Sequence, residues 1–167
     1  MNRQKDSPPE IKGGTSQSPM TYSLLADHYA LHREGAGVEP SEGAIFTMSE
    51  GGDTIEVLRD KGEGESARAS MSGEVGPVYS LKGGGVAVPT GRVLVRFKEG
   101  VSVEERHSAI EQAGYTVAQV LDYAPHAAWL RTHSGNISDA LNGLQSLKDI
   151  PDVENVEPQM LMRRAAR

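Results

Sequence analysis

Residues 91–167 show strand and helix periodicities that alternate in a regular order. The stretch 92–98 alternates between polar and apolar residues, which predicts a strand. The apolar face of this strand holds Val93, Val95 and Phe97. The segment SVEE that follows at 102–105 is a capping box, in which the serine and glutamate side chains satisfy free backbone N–H groups. It predicts a helix from there to Ala113, ended by Gly114.

The remainder of this region predicts two more strands, a second helix and a last strand. Residues 117–123 and 127–132 favour strands joined by a turn, and Asn136 is suited to cap the helix that follows. That helix has one apolar face over three turns. The face consists of Ile137, Ala140, Leu141, Leu144 and Leu147. Pro151 stops the helix, and residues 153–162 predict the final strand.

The order β-α-β-β-α-β predicts an α+β domain of ferredoxin-like fold over residues 91–167. Two right-handed β-α-β units interleave into one antiparallel four-stranded sheet with both helices on one face. The other sheet face is left bare and is a place to bind something. The fold alone does not specify what is bound.

The rest of the chain has a different composition. Residues 1–20 are polar and rich in Pro, Gly and Ser, which predicts a disordered tail. Residues 21–90 predict a small β-rich or loosely ordered region of unknown role, with a long-looped hairpin over 44–58 and another over 78–88. Periodicity does not decide whether residues 22–31 form a strand or a short helix.

Composition excludes several classes of protein. A net charge of −6 is unfavourable for a nucleic-acid-binding protein, which needs a basic surface. The absence of cysteine excludes a disulfide framework, thiol catalysis and cysteine-bound metals. The sequence has neither an apolar run long enough for a membrane helix nor the apolar stretch of a secretory signal. We therefore expect a cytoplasmic protein that binds neither nucleic acid nor a membrane.

Three segments give residues 91–163 a resemblance to a known family. The sequence GRVLVRFKEGVS at 91–102 is similar to the opening strand and helix start of subtilisin-type serine protease propeptides, in particular the fervidolysin-like prodomains. The sequence IPDVENVEP at 150–158 is similar to the closing segment of these domains. The sequence AAWLR at 127–131 resembles their third strand. Residues 1–76 show no such resemblance.

The resemblance implies a propeptide-like protein that binds a subtilisin-type serine protease as its inhibitor, its folding chaperone or both. The protease is expected to be encoded separately or cleaved from the same precursor, because no protease motif follows residue 163. In this family the bare sheet face docks on the protease, and edge carboxylates cap helices of the protease. The segment after the last strand lies extended in the active-site cleft. The resemblance implies neither an enzymatic activity nor a cofactor for this chain.

The expected partner-binding residues follow from that arrangement and from one aromatic side chain. They are Trp129, Glu154, Glu157, Met160, Leu161, Met162, Arg163 and Arg164. Because strand side chains alternate, only one of the two glutamates is expected to point to the docking face. Trp129 is either an interface anchor or packed between sheet and helix. The arginines are either substrate-like or part of a frayed basic terminus.

Other motifs and functions are weaker alternatives. Gly14-Thr15-Ser16 has the residue types of a subtilisin nucleophile segment but lies in a polar tail, so we expect no catalytic residue there. His28 and His32 are spaced for a metal on a helix, but a third ligand is lacking and we expect no metal. The main alternative function is a non-inhibitory interaction or regulatory module of a protease-associated assembly, and a small-ligand sensor is less favoured.

Overall fold

The computed structural model describes residues 7–14, 17–35, 39, 42–60 and 73–163. The protein is α+β, with mostly antiparallel strands and few, short helices. The chain divides into two compact units. The first comprises Met1–Lys12, Met20–Val88 and Met160–Arg167, and the second comprises Gly13–Pro19 and Pro89–Gln159. Among the described residues, no helix is both long and apolar enough to cross a membrane.

In the described part of the chain, eight strands come before residue 104. They are β1 (Glu10–Gly14), β2 (Pro19–Leu24), β3 (His28–Arg33), β4 (Ala44–Glu50), β5 (Asp53–Arg59), β6 (Glu74–Gly76), β7 (Tyr79–Leu81) and β8 (Val86–Phe97). Strands β4-β5-β3-β6 form one antiparallel sheet in that order. In the first unit, β7 pairs antiparallel with β2 and with the start of β8. Both predicted hairpins, β4–β5 and β7–β8, are therefore confirmed.

The turn between β4 and β5 is shorter than the long loop that the sequence suggests. Its two central residues are Gly51 and Gly52, with φ of 59° and 89°. Positive φ at both positions is the conformation of a type I′ turn, whose twist matches that of the flanking strands. Residues 49, 50 and 53, which we assigned to the loop, therefore extend the two strands instead.

The second unit contains the later part of β8 together with the following elements. They are a 3₁₀ turn (Glu104–Arg106), α1 (His107–Gln112), β9 (Tyr115–Leu121), β10 (Ala124–Thr132), α2 (Ile137–Asn142), α3 (Leu144–Lys148) and β11 (Val153–Arg163), of which residues 160–163 belong to the first unit. β10 pairs antiparallel with β8 and with β9, and β11 pairs with β8. The Lys98 N–H donates to the Asp152 carbonyl at 2.8 Å, and the Thr90 hydroxyl lies 2.7 Å from Gln159 Oε1. These contacts show that β11 runs opposite to β8.

The core of the second unit lies between the helices and one face of the strands. Val93, Val95 and Phe97 are fully buried, as their alternation predicts. The predicted apolar face of the second helical segment is also buried: Ile137, Ala140, Leu141, Leu144 and Leu147. The Tyr115 hydroxyl donates to the Ala140 carbonyl at 2.6 Å, which joins β9 to α2. Burial raises the pKa of this phenol above its usual value, so it acts as a donor.

The second helical segment begins where the sequence predicts, but it is interrupted in the middle, where a continuous helix is predicted. Asn136 Oδ1 accepts the backbone N–H groups of Ser138 and Asp139 at 2.8 and 3.3 Å, so the predicted cap is confirmed. One continuous helix was expected, whereas Gly143 separates α2 from α3. Gly143 leaves the helical conformation, with φ −89° and ψ 0°, and the Tyr115 side chain packs so close to it that a Cβ there would lie 2.5 Å from the Tyr115 hydroxyl.

The N-terminal segment differs from its prediction. Disorder is predicted over residues 1–20. The described residues 7–14 and 17–20 of this range contain β1, the start of β2 and the buried side chain of Ile11, and the other residues of the range lie outside the description. Two backbone carbonyls hold this segment, since Pro9 accepts the Leu24 N–H at 2.9 Å and Pro8 accepts the Tyr79 hydroxyl at 2.7 Å. These hydrogen bonds connect backbone and side-chain groups that are far apart in the chain. They can order a polar segment, and because they do not require apolar residues, the sequence of the segment does not reveal them. The ambiguous stretch 22–31 is not helical but contributes to β2 and β3.

The first unit buries apolar side chains on both faces of β3 and β5. One cluster contains Ala30, Ile55, Val57, Val78 and Val88, with the partly buried side chains of Leu25, Phe46, Met48, Val86 and Leu161 packed against it. The other contains Tyr29, Leu31 and Leu58, with Val75 against it. Glu56 lies on this second face, is fully buried, and has Oε2 3.7 Å from Arg33 Nη2. The two clusters use alternate residues of the same strands.

Candidate interaction surface

One face of the strands β8 to β11 lies opposite the helices. We call it the helix-free face. Because Val93, Val95 and Phe97 point to the helices, alternation directs Arg92, Leu94 and Arg96 to the helix-free face. Arg96 is exposed, while Arg92 and Leu94 are half-buried. The face therefore combines charged and apolar groups, as binding surfaces do.

Trp129 lies on the helix-free face rather than between sheet and helices. It pairs in register with Leu94 across β8 and β10, whereas its neighbour Leu130 pairs with the core residue Val93. The Arg92 guanidinium carbon is 4.9 Å from the centroid of the Trp129 ring. This cation–π contact orients both side chains and leaves the indole half-buried.

The two candidate glutamates of β11 point to opposite faces. Val156 is buried on the helix side, so alternation directs Glu157 to the helix-free face and leaves Glu154, which is exposed, on the other. Glu157 is half-buried, and its Oε1 is enclosed without a hydrogen-bond partner among the described residues. Of the pair, only Glu157 therefore lies on the helix-free face.

Sequence reasoning missed the arginines of this face. Arg92 and Arg96 lie on β8, and Arg131 is exposed on β10, two residues from Trp129. Together with Glu157 they give the face an excess of positive charge. The strand alternation could have identified them, since residues 92 and 96 are out of phase with the predicted apolar face.

The candidate tail residues form the end of β11 and belong to the first unit. Met160 is half-buried, and Leu161 packs against the cluster of Ala30, Ile55, Val57, Val78 and Val88. Met162 is 48 % exposed. The Arg163 guanidinium carbon lies 4.6 Å from the centroid of the Phe46 ring, a partner that the sequence does not indicate. Arg164 lies outside the described residues.

The other motifs do not assemble into a site in the described part of the chain. His28 and His32 lie on strand β3, not on a helix. Burial lowers the pKa of His32 to about 4, so its imidazole is neutral at pH 7. No group of three His, Asp or Glu residues in the described ranges could hold a metal ion. Of the Gly14-Thr15-Ser16 motif, Thr15 and Ser16 lie outside these ranges.

The chemistry offered by the helix-free face is that of binding. Guanidinium groups donate to carboxylates, the indole supplies apolar contact area, and the Glu157 carboxylate accepts from N–H groups. No protein-family model, curated protein or solved structure matches the chain.

Proposed function

We propose that this protein binds a subtilisin-type serine protease, as inhibitor, folding chaperone or both. The helix-free face docks on the protease, and the C-terminal strand supplies the segment that enters the active-site cleft. The chain itself is not an enzyme in this proposal and uses no cofactor. Its partner is a protein, with no role for nucleic acid or a membrane.

We further propose that residues 91–163 form a ferredoxin-like domain. The order of pairing, β11-β8-β10-β9, supports this fold, since it interleaves the two β-α-β connections. The contacts of α2 with Tyr115 and of Ile137 with Gly91 support helix packing on one face, because a Cβ on Gly91 would lie 3.3 Å from Ile137. This is also the fold that the propeptide resemblance implies.

The observation that carries the proposal is the composition of the helix-free face. It presents a half-buried tryptophan, three arginines and the half-buried carboxylate of Glu157 on the sheet face that propeptides of the resembling family use for docking. A carboxylate at the position of Glu157 can accept the free N–H groups at the N-terminus of a partner helix. The helix dipole adds to that interaction.

The test compares the two glutamates of β11. Glu157→Gln and Glu154→Gln remove the same charge from opposite faces of one strand, so Glu154→Gln is the matched control. We expect Glu157→Gln to weaken binding of a subtilisin-type protease by about 0.3–1 kcal/mol, less at high salt, and Glu154→Gln to have no effect. Binding is measured by calorimetry on the full chain, with inhibition of peptide hydrolysis in parallel.

In the same assay, Trp129→Ala is expected to weaken binding more than Glu157→Gln does. Truncating a central aromatic anchor costs about 2 kcal/mol or more of binding energy, whereas Tyr123→Ala, at an 86 % exposed aromatic on the β9–β10 turn, serves as its control. Equal binding by both variants would contradict docking through the helix-free face. If subtilisin-type proteases neither bind the intact protein nor are inhibited by it, the proposed function is wrong.

One observation favours the alternative function, a non-inhibitory interaction module. Leu161 and Arg163 already contact residues of the first unit, so in the free protein these side chains are engaged. A module of this kind would bind the protease through the helix-free face and leave its activity unchanged. Binding without inhibition in the assay above distinguishes it.

A further inference from the structure

We infer that the first unit holds the C-terminal segment Met160–Arg163 in place, and that this segment must be released from Phe46 before it can enter a protease cleft. The second step rests on the proposed function, whereas the holding contact does not. We call residues 160–163 the held segment. It is the end of strand β11, whose earlier residues belong to the second unit, but it is packed as part of the first unit.

Two side chains of the held segment make the contact. Leu161 packs against the cluster that contains Val57 and Val88, whose partly buried members include Phe46. Arg163, two residues on and on the same strand face, lies over the Phe46 ring at 4.6 Å. Met162 lies between them, points to the opposite face and is 48 % exposed. One face of the held segment is thus occupied within the free protein.

The contacts of the held segment within the first unit compete with its binding in a protease active-site cleft. A peptide added as a strand in a protease cleft is recognised through alternate side chains that fill pockets. Leu161 and Arg163 are such an alternate pair. They cannot pack against the buried cluster and the Phe46 ring, respectively, and at the same time fill pockets of another protein. The apparent affinity of the cleft for the segment is therefore reduced by the fraction of molecules in which the segment is released. Phe46 is a positioning residue for inhibition in this scheme.

Limited trypsin digestion of the full chain measures release without any partner. Cleavage after Arg163 needs the Arg163 side chain to leave the Phe46 ring and enter the trypsin pocket, so its rate follows the open population when closing is fast. We expect Phe46→Leu, which keeps an apolar side chain but removes the aromatic ring, to speed this cleavage about two- to fivefold, the range of an exposed cation–π contact. Leu161→Ala should speed it about tenfold or more.

Matched variants separate local release from general unfolding. Phe46→Tyr keeps the ring and Met162→Ala alters the exposed side of the held segment, so both should be cleaved at the wild-type rate. Cleavage after Arg59, at the end of β5, is the control for opening of the first unit. It should rise by a smaller factor in Phe46→Leu than cleavage after Arg163 does, because Phe46 also packs against the core cluster of that unit. The holding contact is refuted if wild-type Arg163–Arg164 is cut as fast as in the free peptide of residues 157–167, or if Phe46→Leu and Phe46→Tyr behave alike.

Inhibition of a subtilisin-type protease tests the second step separately. If the held segment enters the cleft, Phe46→Leu inhibits more tightly than wild type by the same two- to fivefold factor. If trypsin shows release but inhibition is unaltered, the segment is held but is not the cleft ligand, and competition is refuted. If the protease does not bind at all, the proposed function fails while the trypsin result still decides whether the first unit holds the segment.

Discussion

The sheets of the two units bury their strands in different ways. In the first unit, consecutive residues of β3 and β5 are buried on both faces, including Glu56 beside Arg33. In the second unit, β8 buries only alternate residues, and its other face presents Arg96 and the half-buried Trp129. A strand that is buried on both faces has no side-chain surface to offer a partner. This difference supports our proposals that the second unit binds the partner and that the first unit holds the C-terminal segment.

The largest effect expected from this comparison is a loss of stability when a buried residue of β10, in the second unit, is truncated. Leu130 and Arg131 are neighbours on opposite faces, the first fully buried and the second exposed. Leu130→Ala is expected to lower the free energy of unfolding by about 2–5 kcal/mol, and Arg131→Ala by no more than about 0.5 kcal/mol. Denaturation followed by the fluorescence of the single tryptophan, Trp129, measures both. Similar losses would mean that the second sheet is also closed on both faces.

The next effect is a pH dependence confined to the first unit. Burial lowers the pKa of His32 from 6.5 to about 4, so between these values the unfolded chain takes up a proton that the folded chain does not. Stability is therefore full above pH 6.5 and falls as the pH drops towards 4, by up to about 3 kcal/mol. Hydrogen exchange of the β3 amides, measured across this range, should show the loss.

His32→Gln removes the titrating group and is expected to flatten this dependence relative to wild type. His107→Gln, at an exposed position of α1, is the control and should retain the wild-type slope. A wild-type slope that persists in His32→Gln would place the acid sensitivity on other groups, such as the carboxylates.

The smallest expected effect is the loss of stability when the N-cap of helix α2 is removed. Asn136 accepts two backbone N–H groups at the start of α2, so Asn136→Ala should destabilise the protein by about 1 kcal/mol. Asn136→Asp keeps an acceptor oxygen and should be close to wild type. Thermal unfolding followed by circular dichroism compares the two. Equal losses in both variants would indicate that the cap does not stabilise α2.

The second unit was more predictable from sequence than the first, for a physical reason. Val93, Val95 and Asn136 act through neighbours in sequence, so alternation and capping chemistry reveal them. The order of Tyr29, Ala30 and Leu31 gives no period, because both faces of β3 are buried. The close approach of Tyr115 to Gly143 joins a strand to the helical segment, and no local pattern at either residue indicates it.

The candidate site also contains some residues that the local sequence pattern identifies and others that it does not. Trp129 and Glu157 were predicted as binding residues, and strand alternation directs both to the helix-free face, though their role in binding stays a prediction. The contact of Arg163 with Phe46 joins residues that are far apart in the chain, and nothing local to either residue indicates it. Long-range packing of this kind is set by the tertiary fold rather than by periodicity.

The membership of Leu161 in the first unit has a consequence for the order of events during synthesis. Protein chains leave the ribosome from the N-terminus, and domains generally fold as they emerge. Residues 20–88 emerge early, yet Leu161, which packs against their cluster, is translated only after the entire second unit. The first unit therefore cannot complete its packing on the ribosome ahead of the second, although most of it is made first.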